Sequence, residues 1–483
     1  MPNRSRRDFL KAATTAAGAL VLLPPVARAA AMGERLGDRP PSFDTAEGWA
    51  LVPGILSRIK PPRFPKRDFL VTRYGAVADG TTDCTAAFRR AIAACSAAGG
   101  GRVVAKGGVF LTGPIHLRSK VNLTVARGAT LRFSRDPAAY LPPVLTRFEG
   151  TELMNYSPFI YALDAVDVAV TGAGTLDGWA DKEHWWGWKG SVQYGWKEGD
   201  PNFNAARTRL LAMAEQGIPV EDRVFGAGDY LRPPFIQPYR CRNVLIEGVT
   251  IRNSPMWEIN PVLCTNVTVR HVTIDSHGPN NDGCDPESCR DVLIEHCTFD
   301  TGDDCIAIKS GRNADGRRIG VPSENIIVRD CEMRDGHGGV TVGSEISGGA
   351  RYVFIERCRM DSPRLDRALR LKNNAMRGGT LEHIYMRDVV VGEVADAVLQ
   401  VDFLYEEGAN GAFTPVVRDV ELQRVSSRRS NYALYLRGFE KGIIDDIRVI
   451  DCRFDGVKLP DLVESVTGLV RKNVMVNGTV IKA

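Results

Sequence analysis

The chain has 483 residues, of which 44% are apolar and 25% charged, so it is neither a low-complexity nor a disordered sequence. Its formal charge of +4 comes from the N-terminus. Setting aside the five Lys/Arg and one Asp before Ala31 leaves 57 charges of each sign, which excludes a general nucleic-acid footprint.

Residues 5–11 read SRRDFLK, a twin-arginine pair, followed by the apolar stretch AATTAAGALVLLPP and the small-x-small pattern Ala27-Arg28-Ala29. That apolar stretch is too short for a stable membrane anchor, and no second apolar run is long enough to span a bilayer. Residues 1–31 are therefore expected to be a twin-arginine signal peptide, handled by the Tat export machinery and directing a folded protein to a bacterial periplasm or beyond. Residues 32–68, rich in Pro and Arg, read as a loosely packed lead-in.

Residues 84–98 (CTAAFRRAIAACSAA) have helical apolar spacing, with Asp83 as candidate N-cap and Gly99-Gly100-Gly101 as the stop. Strand-like segments RVVAKGGVFLTG and VNLTVARGATLRF follow. Then a nine-residue pattern recurs. It reads DVAVTGAGT from Asp167, NVLIEGVTI from Asn243, NVTVRHVTI from Asn266, DVLIEHCTF from Asp291, NIIVRDCEM from Asn325, YVFIERCRM from Tyr352 and HIYMRDVVV from His383. Weaker copies start at Asp419 and Asp446. Each alternates apolar and polar residues at period two, the pattern of a strand. From Asn243 onward the starts are 23, 25, 34, 27, 31, 36 and 27 residues apart. A fixed period would suit a propeller or a horseshoe. One shared strand with a variable period suits a parallel β-helix, in which loops of differing length leave the same face of each coil. The expected fold is all-β: a single-stranded parallel β-helix over 69–483, closed at its N-terminal end by the helix, since an open end is an unpaired edge.

The seventh position of the copies is Val249, Val272, Cys297, Cys331, Cys358, Val389, Val425 and Cys452, an inward ladder of small apolar side chains. Eleven cysteines in an exported protein first suggest disulfides with one left over. The ladder instead explains four of them as core packing, and leaves Cys241, Cys264, Cys284, Cys289 and Cys305 open. The segment 178–234 interrupts the repeats and holds five of the seven tryptophans: Trp179, Trp185, Trp186, Trp188 and Trp196. Such a cluster suits either sugar stacking or a local mini-core under a long loop. Residues 203–216 within it have the composition of a short helix.

The densest acidic run is NDGCDPESCRDVLIEHCTFDTGDD, residues 281–304. Asp282 and Asp303 flank a repeat strand and stand 21 residues apart, about one short coil, so they are expected to stack on one face with Asp304 beside them. Clustered carboxylates raise the pKa of at least one member, and a protonated acid beside an ionised base is what glycoside hydrolysis requires. A calcium site or solvated turn acids use the same residues. His337 lies between glycines in DGHGGVTVGS, in the turn after the next repeat strand. In ALRLKNN, Arg370 and Lys372 project to one side of a strand, and two cations without a nearby acid suggest an anionic ligand.

Asn280-Asn281-Asp282, Gly302-Asp303-Asp304, Gly336-His337-Gly338 and Arg370-Leu371-Lys372 stand in that order, and together they resemble the polygalacturonase family, glycoside hydrolase family 28. YGAVADGTTDCTAAFRRAIAAC and GPIHLRSKVNL also look like that family's N-terminal coil, and SHGPNNDGCDPESC with TGDDCIAIKSGRN looks most like its bacterial, exo-type members. The resemblance implies a right-handed, pectin-lyase-like β-helix that hydrolyses α-1,4-galacturonosyl bonds of pectin or polygalacturonate with inversion. Asp303 would be the general acid, supported by His337, and Asp282 and Asp304 would activate water. Arg370 and Lys372, with Asn280 and Asn281, would bind the substrate. Neither metal nor cofactor is implied, and the protein is expected to be a monomer. The family places His where WEINP carries Asn260, expected near the groove. The 178–234 insertion is long enough to block one end of a groove, as an exo-acting enzyme needs. The rival readings are a hydrolase of rhamnogalacturonan or xylogalacturonan, a calcium-dependent pectate lyase, and a non-catalytic glycan-binding β-helix.

Overall fold

A computed structural model describes residues 45–481, so the signal-peptide segment lies outside the described residues. Every repeat copy begins on a residue with left-handed backbone: Asp167, Asn243, Asn266, Asp291, Asn325, Tyr352, His383, Asp419 and Asp446 all have φ between 53° and 60°. The strand ladders skip these residues, Arg242 pairing with Thr265 and then Val244 with Val267. Asn and Asp tolerate this conformation better than other side chains. Their amides and carboxylates also bond along the stack. Asn243 Nδ2 donates to Asp167 Oδ1 (2.7 Å), Asn266 Nδ2 to Asn243 Oδ1 (2.8 Å) and Asn325 Nδ2 to Asp291 Oδ1 (3.0 Å). Further along, Tyr352 and His383 continue the column as stacked rings 4.6 Å apart.

The coils build three parallel sheets around one core, a right-handed parallel β-helix. A 13-stranded sheet runs from Asp68–Leu70 to Leu469–Lys472, and a 14-stranded sheet from Asp79–Asp83 to Thr479–Ile481. The third sheet has six strands from Ile306–Ile308 to Leu462–Glu464, and three more at Ile115–His116, Ile160–Leu163 and Ile236–Tyr239. Single bridges from Ile236 to Ile259, to Cys284 and to Ile306 join its two parts. The seventh-position ladder is buried throughout. All eleven cysteines are free and buried. Cys241, Cys264 and Cys289 form a second column, with the Cys264 and Cys289 sulfurs each accepting from the backbone N–H of the cysteine one coil back (both 3.4 Å).

Both ends of the stack are closed. Helix α1 (Thr45–Arg58) precedes the coils, and α2 (Thr85–Ala97) is the expected cap, burying Ala87, Phe88, Ala91, Ile92 and Cys95. Its N-cap position is Cys84, one residue later than expected, while Asp83 Oδ1 accepts from the Thr85 N–H (2.9 Å). At its end Gly100 (φ 107°) passes so close to Lys120 that a Cβ would meet a carbonyl oxygen at 2.5 Å. At the other end Val474–Val476 pairs antiparallel with Thr479–Ile481.

The lead-in differs from expectation. From Thr45 it is a helix strapped across the 13-stranded sheet, with Trp49, Val52, Ile55 and Ile59 packed on Leu293, Ile327, Phe354 and Tyr385. Arg58 pairs with Asp291 (2.8 Å). Among the described residues no helix is long and apolar enough to cross a membrane.

None of the five tryptophans in 178–234 is exposed. Trp185 is buried at the centre of a cluster with Tyr140, Tyr156, Phe159 and Trp188 that is continuous with the main core, which favours packing over sugar stacking. Trp186 Nε1 donates to the Ser254 carbonyl (2.8 Å), and Trp179 lies under Arg132 and Arg135. The predicted short helix is α3 (Asn204–Glu215), which packs against the hairpin Val144–Phe148/Thr151–Asn155. A fourth helix, α4 (Asn313–Ile319), is tied to that hairpin where the Glu152 N–H donates to Asp315 (2.8 Å).

Candidate active site

The third sheet carries the site. Cys284 bridges Ile306, and Ile306 pairs with Val340, which pairs with Leu369. Counting two residues back along these strands places Asp282 in line with Asp304, not with Asp303 as the sequence spacing suggested. Asp303 stands one residue further out, at the turn. Oxygens of all three carboxyls lie within 4.8 Å of one another. They open into a cavity of about 650 Å³ that also exposes Asn280, His337, Arg370 and Lys372.

Asp304 is fully buried and its carboxyl is held by three contacts. Its Oδ2 accepts from Lys372 Nζ (2.7 Å), and its Oδ1 from Thr341 Oγ1 (2.8 Å) and Arg370 Nη1 (3.4 Å). The close approach of Gly338 belongs to the same packing, since a Cβ there would meet Thr341 Oγ1 at 2.3 Å. Burial alone would raise the Asp304 pKa, but Lys372, Arg370 and Lys309 outweigh it and hold this carboxyl ionised.

Asp303 is paired with His337, whose Nδ1 lies 2.9 Å from Asp303 Oδ1, so the ring donates there when Nδ1 carries its proton. Burial works against ionisation of Asp303, yet the His337 hydrogen bond and charge bring its pKa below the usual value. The same bond pushes His337 up to about 9. At neutral pH the pair therefore holds one proton, formally on the ring.

Asp282 differs from both. Burial first, and the Asp303 charge second, push it well above the ordinary range, with Lys309 opposing. Desolvation, rather than the mutual repulsion expected from the sequence, is thus the chief reason that Asp282 holds a proton more readily than its two neighbours.

Three expectations are corrected. Asn281 does not face the cavity. It is wholly buried, its Oδ1 accepting from the Gly278 N–H (2.7 Å) and Ser276 Oγ (2.8 Å), and its Nδ2 donating to the Ser254 and Met256 carbonyls. It shapes the turn that presents Asp282, whereas Asn280 lines the cavity. Asn260 is likewise buried, bonded to Gln237 Nε2 (2.8 Å) and the Asp285 carbonyl (2.9 Å), and lies behind the groove rather than in it. Arg370 and Lys372 do share one side of their strand, but they are not free of acid: both hold Asp304.

Sequence reasoning missed a ring of charge around these residues. Lys309 Nζ lies 3.2 Å from Glu345, 3.5 Å from Asp282 and 4.5 Å from the Trp257 ring centre. Arg312 joins Glu149 (3.3 Å), Glu345 (3.5 Å) and Glu406 (3.2 Å). Both cations follow the acidic run directly, in IAIKSGR, at the end of strand Ile306–Ile308. The insertion supplies another wall through Lys189, Tyr194, Phe203 and Arg207.

The three carboxyls fit a cation poorly. Both oxygens of Asp304 already accept from cationic groups, Asp303 Oδ1 accepts from His337, and Lys309 stands beside Asp282.

Fold and site define the class: a parallel β-helix presenting a proton-sharing carboxyl cluster beside fixed cations in an open cavity. Comparison with known proteins places the chain within that class. The profile of glycosyl hydrolases family 28 matches residues 228–467. The crystal structure of a hyperthermoactive exopolygalacturonase from Thermotoga maritima is 50% identical, with a TM-score of 0.88 over 90% of this chain and 97% of that one. An exo-poly-alpha-D-galacturonosidase of Dickeya chrysanthemi is 28% identical over 76% of this chain, and a probable polygalacturonase of Vitis vinifera 29% identical over 66%. The matched stretches span 64% and 59% of those two curated relatives' lengths. The chain belongs to glycosyl hydrolases family 28.

Proposed function

We propose that the protein hydrolyses α-1,4-galacturonosyl bonds of polygalacturonate, acting from a chain end. The observation that carries this reading is the cavity that joins three carboxyls to Arg370 and Lys372. An acidic sugar needs cations beside the acids that cleave it, and Arg matches a carboxylate bidentately. The one proton of the His337–Asp303 pair passes through Asp303 to the glycosidic oxygen as the C1–O bond breaks, leaving His337 neutral. A water held by Asp282 and Asp304 attacks C1 and leaves its proton on that pair. Burial favours a proton on Asp282, which this step needs ionised, and Lys309 beside it favours the ionised form.

Inversion is part of the proposal. Carboxyl oxygens within 4.8 Å of one another are closer than the roughly 6.5–9.5 Å of most inverting pairs. Attack by a carboxylate nevertheless fits Asp304 poorly, since both of its oxygens are already bonded to donors. End-on action is supported by the insertion, which walls the cavity with Lys189, Tyr194 and Arg207, and by the names of the relatives above.

Export along the twin-arginine route to the periplasm or beyond, as a monomer, completes the reading. Arg6-Arg7 supports it, and so do eleven free buried thiols, which suit a chain folded in a reducing compartment before export. Timed product analysis on polygalacturonate and rhamnogalacturonan tests the whole. One small saturated galacturonate product from the start, of inverted anomeric form by NMR, is expected, and Asp303→Asn should abolish it. Ultraviolet-absorbing unsaturated products that require calcium would mean a lyase, and preferential release from rhamnogalacturonan would mean another substrate.

A further inference from the structure

Two cations at this site have no acid partner. Lys189 Nζ makes no hydrogen bond or ion pair among the described residues, and it stands 5.0 Å from the centre of the Phe203 ring. Arg232 is wholly buried. Its Nη1 donates to the Pro255 and Pro279 carbonyls (2.7 and 2.6 Å) and its Nη2 to Asn280 Oδ1 (2.8 Å), with no carboxylate in ion-pair range among the described residues. Burying a cation without an anion is costly, and folded proteins seldom leave one so. Nearly every other cation of the cavity is spent on an internal carboxylate: Lys372 and Arg370 on Asp304, Lys309 on Glu345, Arg312 on Glu149 and Arg207 on Glu149.

The two unpaired cations also share a side. Arg232 donates to Pro279 and Asn280, and Trp186 in the Lys189 turn to Ser254, all on coils that precede Asp303, whereas the strand of Arg370 and Lys372 lies two strands after Ile306–Ile308 in the third sheet. The turn that carries Lys189 is anchored. Lys189 ends the turn Trp186–Lys189, whose Trp188 carbonyl accepts from the Phe203 N–H (3.0 Å) and whose Trp188 ring packs on Trp185 and Tyr230. The tryptophan cluster thus has a purpose: it anchors the turn of a lysine that faces the cavity.

We propose that Lys189 is a second carboxylate-recognition point, for the galacturonate on the opposite side of the scissile bond from the one held by Arg370 and Lys372. Arg232 is a positioning residue that orients Asn280 and adds field. Both sugars flanking the bond are then read as acids, which discriminates against a polymer that alternates acidic and neutral sugars. The inference rests on the polygalacturonate reading and deepens it.

The test uses digalacturonate as the diacid and as its two monomethyl esters, each masking one carboxylate. Lys189→Met is expected to lose roughly tenfold or more in kcat/KM on the diacid, the range for a hydrogen bond to a charged group, and less than about twofold on one ester. The ester that silences Lys189→Met must be the opposite of the one that silences Arg370→Gln. Lys189→Arg should keep the wild-type ester pattern, and an unchanged Tm in Lys189→Met shows an intact fold. Equal losses on all three substrates, no loss on the diacid, or one ester silencing both variants would overturn the proposal. Absence of wild-type turnover would instead count against the hydrolase reading. Calorimetric binding of the same three disaccharides to Asp303→Asn, with and without Lys189→Met, then still reads the ester pattern.

Discussion

His337 is the residue whose chemistry is most open to measurement. Its bond to Asp303 keeps its proton until about pH 9, whereas an unpaired histidine loses it near 6.5. A folded-state pKa raised above the unfolded one gives stability that is fully present below about pH 6.5 and fades as pH rises through about 9. Activity that depends on the paired proton has the same upper limit. The kcat/KM profile of the wild type should therefore descend near pH 9. In His337→Gln that descent should move to lower pH, with the plateau down by roughly 100-fold, a typical share for a positioned proton donor. An alkaline limb left at the same pH in the variant would remove His337 from the proton relay. Such detail was only partly legible in the sequence. Asp282, Asp303, Asp304, His337, Arg370 and Lys372 could be named because ordered short motifs survive divergence. The pairing of Asp282 with Asp304 could not, because one residue at a turn changes which carboxyl faces which. Lys309 and Arg312 were passed over because charges at a strand's end read as solvated turn residues.

At the level of elements, period-two alternation made the repeat strands visible, and a clear helical stripe did the same for the capping helix. What alternation conceals is the left-handed residue that opens each copy, since it precedes the alternating stretch and every coil carries it at the same place, so the ladder resumes in register. Helix α1 was also hidden: Pro53 inside it and the prolines after it resemble a coil, and its apolar face becomes meaningful only against Phe354 and Tyr385. The cysteine columns lead to a direct test. Each thiol is buried, and burial pushes Cys95 and Cys452 up to about 11, far from the reactive thiolate. A thiol reagent should titrate none of the eleven in the native protein and all eleven after unfolding without reductant. A smaller count after unfolding would reveal disulfides and undo the packing account of these columns.

For the molecule as a whole, the stack sets where substrate can lie. Stacked coils touch only their neighbours, so a groove along the third sheet is open lengthwise unless something is laid across it. On the proposed reading α3 and the Trp186–Lys189 turn are that obstacle, and their hold on the coils runs through a few large contacts: Trp185 and Trp188 on Tyr156, and Phe203 on Phe148. Replacing Trp188 with Ala removes a half-buried ring packed on the edge of the main core, at a cost of up to roughly 3–5 kcal/mol, and changes no residue of the coils or the carboxyl cluster. The loss should fall on the insertion rather than on the stack. A loosened wall admits chain on both sides of the cleaved bond. The wild type should release reducing ends from polygalacturonate while solution viscosity falls slowly, because end-removal shortens each chain little. Trp188→Ala should lower viscosity faster per bond cleaved and yield oligomers of mixed length. If the variant keeps the single small product at reduced rate, the insertion does not block the groove, and selectivity for the chain end must come from within the cavity, where Lys189 and Arg207 stand.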